Sequence, residues 1–202
     1  MRLKTAIFFG LICAVVPVFV SEGYQIIEMN LPAIVSNAEI GFRGVCEKRE
    51  VRTIYPVSAP TGVIVTHYVF AIKEMLKGKA ENPFEVDQYG VSRAEAIKMG
   101  APYAVGFTQF EPGKEYVVYW SEMSRLGVRT PLGMDQGVFD IVYDNKGRTM
   151  VVNKFSNANL FKQISKGSPV TKTLKSVNID VSNPPKGPIS YDDFKTIVEN
   201  LK

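Results

Sequence analysis

Hydrophobic positions along residues 63–76 alternate in two interleaved sets. Ile64, Thr66, Tyr68, Phe70 and Ile72 form one, and Val63, Val65, His67, Val69 and Ala71 form the other. β-Branched and aromatic residues dominate both, so the pattern predicts a long central strand with two largely apolar faces. A strand-like stretch at residues 40–54 precedes it, across the turn-rich residues 56–62. Shorter strands are predicted at residues 84–89, with Phe84, Val86 and Gln88 on one face, and at residues 115–120 after the turn signal Glu111-Pro112-Gly113-Lys114. Residues 138–143 and 149–153 read as a hairpin closed by Asp144-Asn145-Lys146-Gly147. Residues 174–181 alternate like one more strand.

Helical spacing is rarer. Leu31, Ile34, Val35 and Ala38 share a face, with Asn30 placed to cap and Pro32 in the first turn. Residues 91–101 are ambiguous, with two helical turns possible at residues 92–99 before Gly100. Residues 157–165 are a further helical candidate. The C-terminal helix is well signalled: Ser190 caps it, Asp192 and Asp193 suit the positive end of its dipole, and Phe194, Ile197, Val198 and Leu201 form an apolar stripe. Six to eight short strands joined by turns, with few helices, predict an antiparallel sheet closed as a barrel.

The N-terminus changes the compartment. Arg2 and Lys4 precede an apolar run from Thr5 to Val20, its last part, Ala14 to Val20, broken only by Pro17, and Ser21, Glu22 and Gly23 follow. That is the order of a secretory signal peptide, and the run falls short of the roughly 20 residues that span a bilayer. Cleavage after Gly23, leaving Tyr24 first, fits the small-residue rule better than cleavage after Ser21. The mature chain is then periplasmic or secreted, with no stable membrane span. It keeps Cys46 alone of the two cysteines, so it holds no internal disulfide, and Cys46 reads as a buried strand thiol. The net charge of +4 is spread along the chain without a dense basic block, which argues against a nucleic-acid partner.

The chemistry is mostly exclusion. His67 is the only histidine, which removes multi-histidine metal sites, and it lies mid-strand with no Gly-x-Ser-x-Gly elbow in the chain. No phosphate-binding glycine motif or Cys-x-x-Cys is present, so no cofactor is expected. Carboxylate chemistry needs no local motif, and Asp87, Glu115, Asp135 and Asp140 lie in or near strands. The strongest candidate surface is the long, glycine-hinged loop at residues 124–137. Arg125, Arg129, Thr130, Pro131, Met134, Asp135 and Gln136 are its candidate partner-binding residues, because long ordered loops often carry function and Arg and Met are enriched at interfaces. Tyr103, Phe107, Tyr116, Tyr119 and Trp120 read as core.

One resemblance adds to this. The order of LPAIVSNAE, IGFRGVCEKREV, VFAIKEMLKGK, PGKEYVVYWS and TPLGMDQGVFDI resembles the netrin-like type of OB-fold barrel found in tissue inhibitors of metalloproteinases, over about residues 31–153. The resemblance implies an OB-like barrel, to which the residue pattern adds the C-terminal helix. Those inhibitors grip the protease zinc with an N-terminal Cys and are rich in disulfides, and this chain has no matching residue. The organisation expected is a signal peptide at 1–23, a barrel domain at 24–181, a proline-rich linker at 182–189 and a docked helix at 190–202. The leading functional expectation is an exported, non-enzymatic module that binds another exported protein. A metalloprotease-inhibitor-like protein and a carboxylate-based hydrolase are the alternatives.

Overall fold

The computed structural model describes residues 27–59, 61–100, 107–165 and 167–201. The signal segment, Tyr24 and Tyr103 lie outside them. The fold is mainly β, an antiparallel seven-stranded sheet in the order β3-β2-β1-β4-β5-β6-β7. Its strands are β1 (Ile40–Ile54), β2 (Val63–Lys77), β3 (Phe84–Tyr89), β4 (Glu115–Trp120), β5 (Val138–Tyr143), β6 (Thr149–Val152) and β7 (Ile189–Ser190). Four helices accompany it: α1 (Leu31–Asn37), α2 (Arg93–Met99), α3 (Pro169–Ser176) and α4 (Tyr191–Glu199).

Local chemistry explains several of the helix ends. Asn30 caps α1 by accepting from the Ala33 N–H at 3.0 Å, and Lys77 closes the other end by donating to the carbonyls of Val35 and Ser36. Ser92 and Glu95 form a reciprocal capping box on α2. Ser190 accepts from the Asp193 N–H at the start of α4. The ambiguous stretch before Gly100 is thus a helix.

The predicted barrel does not close by strand pairing, because β3 and β7, the two edges, have no ladder between them. The physical reason lies in β4, whose side chains from Tyr116 to Trp120 are all buried. Tyr116, Val118 and Trp120 face one core, with Phe42, Tyr68, Phe70, Phe84 and Phe110. Val117 and Tyr119 face a second core, with Phe139, Val151 and the apolar sides of α1, α3 and α4. A simple barrel would turn that second face to water. Here helices cover it, and β5–β7 continue the sheet beneath them.

Phe110 organises the first core. Its ring stands edge-on to Tyr68 at 5.1 Å, Phe70 at 5.1 Å and Tyr116 at 5.2 Å. In the second core, Gly41 leaves room for the Tyr119 ring opposite it, since a Cβ there would sit 2.5 Å from that ring. α4 docks through Phe194, Ile197 and Val198, all buried. Its Tyr191 hydroxyl donates to Glu74 at 2.6 Å, and the Arg43 guanidinium lies 4.4 Å over the Tyr191 ring.

Two predicted elements are corrected. In place of the helix expected at 157–165, residues 157–163 form successive turns, because Asn157 and Gln163 take positive φ angles that an α-helix cannot use. The Asn157 amide instead donates to the carbonyls of Val151 and Gly187, and its carbonyl accepts from the Asn153 N–H. The strand expected at residues 174–181 is replaced by α3, which begins at Pro169 and buries Thr171 and Leu174, three residues apart.

Candidate partner-binding site

Residues 121–137 cross one end of the sheet. A tight turn forms first: the Gly127 N–H donates to the Ser124 carbonyl, and the Ser124 N–H to that of Val128, both at 2.9 Å. The returning chain then lies beside the upper half of β4. The Ser121 N–H donates to the Thr130 carbonyl and the Leu132 N–H to the Tyr119 carbonyl, each at 2.9 Å. Pro131, buried between them, pairs with Trp120 in an isolated bridge. On its other side the segment meets β3, where the Arg129 N–H donates to the Asp87 carbonyl at 2.9 Å. β4 therefore has two neighbours along one edge, β5 at its start and this segment at its end.

A 3₁₀ turn at Met134–Gly137 follows and returns the chain to β5. Gln136 on this turn is buried, and its amide reads the main chain of the N-terminal segment. Its Oε1 accepts from the Met29 N–H and its Nε2 donates to the Ile27 carbonyl, both at 2.8 Å. Asp135 accepts from the Thr108 hydroxyl and from Lys154 at 2.9 Å. These contacts bring the N-terminal segment and residue 107 against the loop.

The result is an apolar pocket of about 380 Å³ lined by Ile27, Met29, Phe107, Pro131, Leu132 and Met134, with Thr130 and Gly133 at its edge. Ile27 is 82% exposed at the rim.

The seven candidate residues thus divide by role. Thr130, Pro131 and Met134 line the pocket. Asp135 and Gln136 hold its walls. Arg129 is a clamp: its side chain is 10% exposed, and its guanidinium engages Glu39 and donates to the Ser121 carbonyl at 2.7 Å. Arg125 is exposed on the 124–128 turn, away from the pocket lining. Ile27 and Met29 escaped the sequence reading, and Phe107 was taken for core. The 107-residue jump from Gln136 to Met29 and the contact of Thr108 with Asp135 bring them together.

Cys46 is buried, and desolvation pushes its thiol up to about 11. His67 lies against Asp87, with Nδ1 3.0 Å from Oδ1. Asp87 also accepts from Arg52 at 2.7 Å, and Glu115 from Arg43 at 2.6 Å and Lys73 at 2.8 Å. Among the described residues, no group of three or more His, Cys, Asp and Glu is placed to hold a metal ion, and no helix is long and apolar enough to cross a membrane.

No protein-family model matches the chain, and no curated protein matches it.

Proposed function

We propose that this chain is an exported, non-enzymatic protein-binding module whose partner is another exported protein. The observation that carries the reading is the apolar pocket walled by Met29, Phe107, Pro131 and Met134 at the end of the sheet. A pocket of this size is in the range that takes a small apolar group, and its loop walls are set by part-buried hydrogen bonds to and from Gln136 and to Asp135. Of the four acids read from the sequence, Asp87, Glu115 and Asp135 carry cations, which favours a scaffold over a pair of catalytic acids, while burial raises the Asp140 carboxyl. Export rests on the N-terminal signal pattern, with the periplasm or the medium as its destination. The netrin-like resemblance agrees with a binding role but supplies no zinc-gripping residue.

A photo-crosslinking amino acid placed at Met134 tests this in the native exported fraction. A discrete adduct at 134, absent when the same group replaces Tyr143, is the expected result. No adduct at 134, or the same adducts at both positions, rejects the pocket as a binding site.

A further inference from the structure

A cavity of about 450 Å³ opens between the ends of α1, β2 and α4, lined by Val35, Met75, Leu76, Lys77, Gly78 and Leu201. It shares no lining residue with the pocket at the 121–137 loop, so the two can be occupied independently. A β-bulge builds it. Gly41 pairs with Lys77 and Phe42 with Met75, which leaves Leu76 unpaired between them. Strict alternation would put Leu76 and Lys77 on opposite faces of the sheet. The bulge puts both on the helix-covered face, where Leu76 joins the second core and Lys77 reaches the end of α1.

Among the described residues, no carboxylate pairs with the Lys77 ammonium. Glu39, whose carbonyl a side chain at Gly78 would strike, gives its carboxylate to Arg129, and Glu74 gives its own to Lys195 and Tyr191. Lys77 donates to the carbonyls of Val35 and Ser36, which takes two of its three hydrogens. A helix C-terminus supplies only about half a negative charge, so most of the ammonium charge stays unmatched. Partial burial accordingly lowers the Lys77 pKa, whereas Lys114 and Lys195, each beside a glutamate, are raised.

We propose that this cavity binds a straight-chain aliphatic carboxylate, its tail against Val35, Met75, Leu76 and Leu201 and its head on the third hydrogen of Lys77. The volume lies in the small-molecule range, and apolar walls with one placed polar group are the usual make-up of such sites. The walls are aliphatic or thioether, without an aromatic ring, which suits a flexible methylene chain. A cationic amphiphile would be repelled by Lys77, and a neutral one would leave its charge unmatched. A carboxylate supplies the missing counter-charge through a charge-assisted hydrogen bond.

The test is methyl NMR of the full chain, labelled at Leu, Val and Met and titrated with decanoate below its micellar range. Signals of Val35, Leu76 and Leu201 should shift, while those of Met29 and Leu132 in the other pocket should not. From hexanoate to octanoate to decanoate, affinity should rise about fourfold per added methylene. Decanol should bind about tenfold more weakly than decanoate, because it lacks the charge-assisted bond. Lys77→Gln keeps a donor for the α1 carbonyls and should erase that difference. If this variant does not fold, the comparison of decanoate with decanol on the unaltered chain still decides. No shift at Val35, Leu76 and Leu201, or equal shifts in both pockets, overturns the proposal. So does affinity independent of chain length, equal binding of decanol and decanoate, or an undiminished preference for decanoate in folded Lys77→Gln.

Discussion

The side chain of Gln136 hydrogen-bonds the backbone of Met29 as a neighbouring strand would. Its amide accepts from the Met29 N–H and donates to the Ile27 carbonyl two residues earlier. One side chain thereby satisfies a donor and an acceptor and fixes one wall of the pocket. Gln136→Ala should cost about 1–3 kcal/mol, because it leaves a part-buried N–H without a partner. Chemical denaturation would give that number, and hydrogen exchange at residues 27–29 should speed up.

Arg125 and Arg129 should behave oppositely, although they lie four residues apart in one loop. Arg129→Ala removes a nearly buried guanidinium from Glu39 and the Ser121 carbonyl, so a loss of about 2–4 kcal/mol is expected. Arg125→Ala is a surface change and should stay within about 0.5 kcal/mol. Thermal melts of the two variants decide this. Equal, small effects would show that Arg129 is no clamp.

Acid should loosen α2. The Arg49 hydrogen bond, aided by Ser92, holds the Glu95 carboxyl down at about 2, although burial opposes it. Because the folded value lies below the unfolded one, this contribution is complete above about pH 4.5 and fades as pH falls towards 2. Both partners are partly solvated, so the contribution is about 1–2 kcal/mol after screening. Glu95→Gln should flatten the stability profile between pH 5 and 3, measured by urea unfolding at each pH, relative to the starting protein.

Cys46 should resist alkylation in the folded protein. It is buried, and its thiol is raised to about 11, so little thiolate exists at neutral pH. Iodoacetamide followed by intact-mass measurement should show modification of Cys46 only under denaturing conditions. Rapid labelling of the native protein would mean that the first core opens at β1.

Phe194→Ala should cost about 3–5 kcal/mol, since its ring packs 5.0 Å from Phe139 and 6.5 Å from Tyr119 in the second core. Circular dichroism during thermal unfolding would show one transition at lower temperature if α4 folds together with the sheet. Two separate transitions would make α4 an appendage.

The sequence made the first half of the fold readable because its signals are local. Phe84, Val86 and Gln88 alternate inward as their period predicts. Asn30, Ser92 and Ser190 cap helices with contacts only three residues away. The second half depends on distant contacts. Asn157 takes its conformation from Val151, Asn153 and Gly187. Residues 174–181 alternate like a strand, but Leu174 is anchored on the second core by the helix α3 that begins upstream at Pro169. The site was half legible for the same reason. A long loop with three glycines and a proline announces itself, whereas the partners that complete its pocket lie far away in the sequence.

The part of the 121–137 loop that lies beside β3 and β4 has a mechanical consequence. It holds β3 through a single isolated bridge, at Arg129 opposite Gln88, and Pro131 brings no N–H to its pairing with Trp120. The Trp120 carbonyl is instead taken by the Glu39 N–H on the far side. Under load, this seam should part before any of the continuous ladders. A pull that separates β3 from β4 would unzip the first core along one line, with the helix-covered second core still standing.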